Sequence, residues 1–228
     1  MINLPQNPNP QPQSVESPIF LSGSLEMNTR YSVNSRSIAS LFLKNIEVEQ
    51  QARTDGLTGI ANRQGFDESI TPIVNKLQEE ENPQAAFIYI DLDNFKQVND
   101  THERGHDAGD EVLIAVANIL QYKIGVREEE GETIGRLGGD EFAAVIQTGA
   151  GSNKRRNPDL SEDQVIDGFH ARLTEGVAEV AKMMGMEKTL GVSIGVVKYQ
   201  KGESAEQFRA RADKEMIEAK RNKQDRLR

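Results

Sequence analysis

Apolar positions recur along this chain in two rhythms, every third or fourth residue over long stretches and continuously or alternately over short ones. Helical spacing predicts helices over Arg63 to Glu80, Asn94 to Asp100, Asp107 to Lys123, about Glu162 to Met184, and Ser204 to Asn222. Strand patterns lie between them. Ala85-Ala-Phe-Ile-Tyr-Ile90 is an apolar run of buried-strand type within a strand over Ala86 to Leu92, and a second strand is expected over Thr189 to Val197. Glu132 to Leu137 and Phe142 to Ile146 read as the arms of an antiparallel hairpin around a glycine turn. Strands interleaved with helices about a central antiparallel hairpin predict an α+β sandwich.

The flanks differ. Residues 1–35 are rich in Pro, Asn, Gln and Ser, and Asn7-Pro-Asn-Pro-Gln-Pro-Gln13 cannot hold a helix, so a disordered tail is expected there. Over residues 36–53 a helical stripe of Ile38, Leu41, Phe42 and Ile46 appears. It reads either as a linker helix packed on its own domain or as a short dimerising helix, and at fewer than three heptads it is too short to be called a coiled coil. Gly149 to Asp159, with Lys154-Arg-Arg156, reads as a polar loop, solvated or gripping a phosphate or a partner.

Composition narrows the function. The 228 residues suffice for one good core and a small accessory element. A formal charge of −9 argues against non-specific nucleic-acid binding, which calls for a basic footprint. The absence of cysteine fits a reducing compartment. Apolar runs such as Ile38-Ala-Ser-Leu-Phe-Leu43 are too short to cross a bilayer, and the first residues lack a basic start and an apolar core. The expectation is a cytoplasmic protein with no membrane span.

Candidate chemistry gathers at two acidic strand ends. In Arg136-Leu-Gly-Gly-Asp-Glu-Phe142 two glycines remove side chains that would keep backbone and ligand apart, and two acids follow. Taken alone, this reads equally as a surface turn. The apolar run from Ala85, however, leads directly into Asp91-Leu92-Asp93, and alternation puts Asp91 and Asp93 on one face. If the two strands are neighbours, Asp91 and Asp140 converge. Hard oxygen ligands with room for water and phosphate suit Mg²⁺, whereas zinc would want cysteines or clustered histidines, and the chain has three scattered histidines.

The chain resembles a diguanylate cyclase of the GGDEF type. The likeness rests on Asp55-Gly-Leu-Thr-Gly-Ile-Ala-Asn-Arg63, Asp91-Leu-Asp-Asn-Phe-Lys-Gln-Val-Asn-Asp100, Gly105-His-Asp-Ala-Gly-Asp110, the signature Arg136 to Phe142, and Ala212-Asp-Lys214 with Ala219-Lys220. These motifs run in the family's order over residues 54–228. The resemblance implies a fold of the nucleotidyl-cyclase and polymerase-palm type. It also implies condensation of two GTP into cyclic di-GMP with release of pyrophosphate, by an at least transient antiparallel homodimer.

In that scheme Asp91, the Leu92 carbonyl and Asp140 hold Mg²⁺, with Mn²⁺ as an alternative, and Glu141 supports them. Asp140 also accepts the proton of the attacking hydroxyl. Lys96 and the backbone of Asn94, Phe95 and Lys96 meet phosphate, as does Lys220. Asn99 and Asp110 read guanine, and His106 lines that pocket. The rival is a GGDEF module that binds GTP or a protein and does no chemistry. A cyclase making a mixed purine dinucleotide is disfavoured by Asp110.

Three departures from the family pattern stand out. Thr101-His-Glu-Arg104 separates Asn99-Asp100 from Gly105 where relatives carry two residues. Lys223 and Gln224 stand where a Gly and an Arg are usual, leaving Arg221, Lys223 or Arg226 to substitute. The product-binding Arg-x-x-Asp of many relatives falls on Glu129-Glu-Gly-Glu132, which puts a carboxylate where a phosphate-binding arginine is needed.

Overall fold

A computed structural model of the chain describes residues 38–44, 46, 48–126, 131–149 and 159–226. The tail expected over residues 1–35 and the Lys154-Arg155-Arg156 stretch lie outside the described residues. The chain divides into two compact units, Met1–Glu47 and Val48–Arg228. Within the first, residues 38–44 and 46 are helical and expose Ile38, Leu41, Phe42, Leu43 and Ile46.

The second unit opens with helical residues 48–53 (α1). Its further elements are β1 (Ala61–Asn62), α2 (Arg63–Glu79), β2 (Ala85–Asp93), α3 (Phe95–Thr101), α4 (His106–Asn118), β3 (Thr133–Gly138), β4 (Glu141–Gln147), α5 (Glu162–Met183), β5 (Gly191–Lys198) and α6 (Ala205–Arg226). The strands form one sheet in the order β1-β3-β4-β2-β5. All its pairings are antiparallel except the short parallel contact of β1 with β3.

β2 lies inside the sheet between β4 and β5 and is apolar on both faces. Ile88, Ile90 and Leu92 join Phe142, Ala144 and Ile146 in a core closed by α4 and α5. Phe87 and Tyr89, on the other face, join Ala143 and Val145 beneath α2 and α6. Phe87 meets Phe66 and Phe208 edge-on at 5.6 and 5.7 Å. Burying such a ring stabilises the fold by roughly 1.5–3 kcal/mol. Helices therefore cover both faces, and the α+β sandwich is the observed architecture.

Local chemistry sets the ends of the helices. Asn62 caps α2 by accepting from the Gly65 N–H, and Ser161 with Gln164 forms a reciprocal capping box on α5. The helix expected over Asp107 to Lys123 is α-helical only to Asn118 and continues as a π-helical stretch, Ile119–Ile124, which ends at Gly125 with φ 80°. Ile119 there packs on Gly176 of α5, where a Cβ would come within 2.9 Å of its Cδ1. No helix among the described residues is long and apolar enough to cross a membrane.

Candidate functional site

The two acidic strand ends meet. In the β2–β4 register Ile90 stands opposite Phe142 and Asp91 opposite Glu141, and the Leu92 N–H donates to the Asp140 carbonyl at 3.2 Å. Leu92 is buried in the core beneath α4 and α5, which leaves Asp91 and Asp93 on the other face. Asp93 is held there by the Ser193 hydroxyl, which donates to its Oδ1 at 2.7 Å. Asp91, Asp140 and Glu141 are all half-buried.

Among the described residues, no three His, Asp or Glu side chains stand close enough together to hold a metal ion by themselves. Two carboxylates and a main-chain carbonyl nevertheless fit Mg²⁺, which keeps several waters and takes substrate phosphates in place of an all-protein cage.

An arginine pair braces the turn. Arg136 Nε and Nη2 donate to the Gly139 carbonyl at 3.0 and 2.8 Å, while its Nη1 reaches both oxygens of Asp55 at 3.2 and 3.3 Å. Gly139 has φ 47°, a conformation that glycine adopts without strain. Asp55 also accepts from the Thr58 backbone and hydroxyl at 2.9 and 2.6 Å. Burial raises the Asp55 pKa, but the bonds from Thr58 and Arg136 outweigh it and hold the carboxyl below its ordinary value. On the other side of the turn Arg63 donates to the Leu137 carbonyl at 2.9 Å and lies 3.7 Å from Glu141. The hairpin tip is thus tied to α2 and to the Asp55 loop before any ligand arrives. Sequence reasoning gave Arg136 no role, although an Asp three residues before a Thr is a local turn signal.

Immediately after β2 the chain reverses at Asn94, whose φ of 57° is the one positive value at a non-glycine among the described residues. Its Nδ2 donates to the Thr189 carbonyl at 3.0 Å, and α3 has no side-chain cap. The Gln97 N–H turns back to the Asn94 carbonyl at 2.8 Å, which leaves the N–H groups of Phe95 and Lys96 with no intrahelical or side-chain acceptor, the arrangement that receives anions. Lys96 is exposed beside them.

On the next turn Asn99 points at α4, and its Oδ1 is buried without a hydrogen-bond partner. It rests on Gly109, where a Cβ would lie 2.0 Å from that oxygen. His106 and Asp110, both exposed, belong to the same end of α4. Lys220 lies in α6 one turn beyond Met216, which packs on Gly195 of β5, but its side chain is outside the described ones.

The residues between α3 and α4 form a turn fastened to α4. Arg104 Nη1 and Nη2 donate to the two oxygens of the Glu111 carboxylate, each at 2.6 Å. Glu129 and Glu130 lie outside the described residues. Glu132 is buried, with Oε1 accepting from the Gln147 N–H at 3.2 Å.

Known proteins are similar to this chain over most of its length. Residues 52–226 match the family described as "Diguanylate cyclase, GGDEF domain". Diguanylate cyclase DgcN of Escherichia coli is 32% identical over 185 residues, covering 81% of this chain and 41% of that protein. An uncharacterised signalling protein of Caulobacter vibrioides is 34% identical over 175 residues, covering 76% of this chain and 20% of that one. The chain therefore spans well under half the length of these relatives. Among solved structures, the coiled coil and GGDEF domain of DgcB from Caulobacter crescentus, in complex with c-di-GMP, aligns with a TM-score of 0.65 at 25% identity, over 86% of this chain and 95% of that one.

Proposed function

The chain belongs to the GGDEF family of diguanylate cyclase domains, and on that premise we propose that it condenses two GTP into cyclic di-GMP with release of two pyrophosphates. The observation that carries this reading is the pairing of Asp91 with Glu141 and of the Leu92 N–H with the Asp140 carbonyl, which merges both acidic strand ends into one site. The phosphate-ready turn at Asn94 follows directly.

Asp91, the Leu92 carbonyl and Asp140 would hold Mg²⁺ or Mn²⁺, with Glu141 in support. The bound cation supplies charge that neutralises the phosphate oxygens as pyrophosphate leaves. The N–H groups of Asn94, Phe95 and Lys96 bind phosphate, together with the ammonium groups of Lys96 and Lys220. Asp110 accepts from the N–H donors of guanine, the Asn99 amide also reads the base, and His106 lines the pocket. Asp140 takes the proton of the attacking 3′-hydroxyl.

One domain holds one GTP, so each 3′-hydroxyl attacks the α-phosphate held by a second copy, and the active unit is a homodimer with its domains facing. The exposed stripe of Ile38, Leu41, Phe42 and Ile46 supports a pairing helix ahead of the catalytic domain. A reaction that consumes GTP needs a compartment that supplies it, which supports a cytoplasmic setting. Lys223 and Gln224, standing where the family pattern has Gly and Arg, favour a second reading, a module that binds GTP or a protein without turnover. Incubating pure protein with GTP and Mg²⁺, and identifying products by mass, separates the two. A cyclic dinucleotide of two guanines supports the cyclase, and unchanged GTP supports the module.

A further inference from the structure

Guanine recognition in this chain depends on two helices that meet at a narrow contact. Asn99 comes from α3 and Asp110 from α4, and the helices touch where Asn99 and Phe95 rest on Gly109. Only residues 102–105 join them. A base held between Asn99 and Asp110 senses the span between those helices to within a fraction of a hydrogen-bond length.

Besides the bond of the His102 N–H to the Val98 carbonyl and those that the Gly105 carbonyl accepts from Ala108 and Gly109, that short connection has three fastenings. The Gly105 N–H donates to the His102 carbonyl at 2.9 Å, and the Arg104 carbonyl accepts from the Asp107 N–H at 3.2 Å. The third is the fork of Arg104 on Glu111, reinforced where the Arg104 N–H donates to His102 Nδ1 at 3.2 Å. Glu111 directly follows Asp110, so the fork joins the connection to the turn of α4 that carries Asp110. The hydrogen bond from Arg104 holds the Glu111 carboxyl below its ordinary pKa, so the pair stays charged at neutral pH. Behind the turn lies an open cleft of about 490 Å³, bounded on its far side by Val180, Met183 and Met184.

We propose that Arg104 is a positioning residue for guanine: its bidentate bond to Glu111 fixes the angle between α3 and α4, and with it the span from Asn99 to Asp110. The inference rests on the GTP-binding reading above and adds a determinant of base selectivity. Both side chains are about half exposed, at 45% and 54%, so the effect is that of a single well-oriented surface pair. Losing the fork loosens the grip on the base and leaves the phosphate contacts at the start of α3 in place. Affinity for guanine nucleotides falls, affinity for adenine nucleotides stays where it was, and KM rises while kcat holds.

The test uses the full chain with 3′-deoxy-GTP and 3′-deoxy-ATP, which lack the attacking hydroxyl and so report binding alone. Calorimetry is run on the wild type, Arg104→Ala, Glu111→Gln and the charge-reversed double variant Arg104→Glu/Glu111→Arg. Each single change should weaken 3′-deoxy-GTP by about two- to fivefold, the scale of one exposed ion pair. The double variant should recover most of that loss, and in steady state the singles should raise KM for GTP at unchanged kcat. The gap between the wild type and the singles should close near 1 M salt, where surface pairs are screened. The proposal is overturned if the single variants bind 3′-deoxy-GTP like the wild type, if the reversed pair recovers nothing, or if both nucleotides weaken together. A wild-type chain that binds no 3′-deoxy-GTP overturns the GTP-binding reading and this inference with it, whereas wild-type binding with unaltered variants overturns the inference alone.

Discussion

Adding one methyl group at Gly109 tests the guanine pocket at its tightest point. A Cβ there would lie 2.0 Å from Asn99 Oδ1 and 3.1 Å from Phe95 Cζ, against ordinary contacts of 3.4 Å and above. The Asn99 amide must retreat by more than an ångström, which turns a good hydrogen bond to the base into none. Leaving a buried base edge unpaired costs about 1–3 kcal/mol, so Gly109→Ala should lose roughly ten- to a hundredfold in GTP affinity. Fold stability moves much less. Alanine is favoured over glycine in a helix by about 1 kcal/mol, and crowding costs about 1–3 kcal/mol, so melting should shift by only a few degrees. Calorimetry with 3′-deoxy-GTP and a thermal melt on the same sample give both quantities. A folded Gly109→Ala protein with wild-type affinity would show that Asn99 does not read the base, and the pocket assigned between α3 and α4 would be wrong.

Three further outcomes are expected. Asp55 has a folded pKa below its ordinary 3.8, so its stabilising contribution is complete above that value and disappears as pH falls through the lowered one. The difference in melting temperature between wild type and Asp55→Asn should hold steady from about pH 5 to 7 and narrow below about pH 4, and a gap that widens in acid would contradict the Asp55–Arg136 account. Cyclic di-GMP added to a steady-state GTP assay should not inhibit through the Glu129–Glu132 segment, where Glu132 is buried on the Gln147 N–H. Strong non-competitive inhibition at low micromolar product, removed by Glu132→Ala, would refute this. Phe42→Glu, on the exposed stripe before the catalytic domain, should lower specific activity at dilute protein and recover it at high concentration, and a concentration-independent effect would rule out pairing through that helix.

Much of the site was legible because it lies at ends of regular elements. The run from Ala85 to Ile90 is continuously apolar because β2 is covered on both faces, and simple alternation then put Asp91 and Asp93 on the face away from Leu92. Gly138-Gly139 marked the hairpin, and the antiparallel register did the rest. What stayed hidden depends on contacts distant in sequence or on conformations without a residue signature. Arg136 reaches Asp55 across 81 positions, and no periodicity reports such a pair. β1 is two residues long, too short to show alternation. The π-helical stretch from Ile119 carries the same apolar spacing as an α-helix would. The left-handed turn at Asn94 becomes apparent only once Thr189 is seen to hold its amide.

The central claim is that Asp91 and Asp140 form one phosphoryl-transfer site that joins two GTP molecules. It is tested most directly by counting pyrophosphate against cyclic dinucleotide in one reaction with GTP and Mg²⁺, for the wild type and for Asp140→Asn side by side. The account predicts two pyrophosphates per cyclic di-GMP from the wild type. It also predicts a loss of at least about a hundredfold from the variant, which keeps its fold but lacks a carboxylate for the metal and for the hydroxyl proton. Near-normal product from Asp140→Asn, or wild-type release of inorganic phosphate and GDP in place of pyrophosphate, would contradict it.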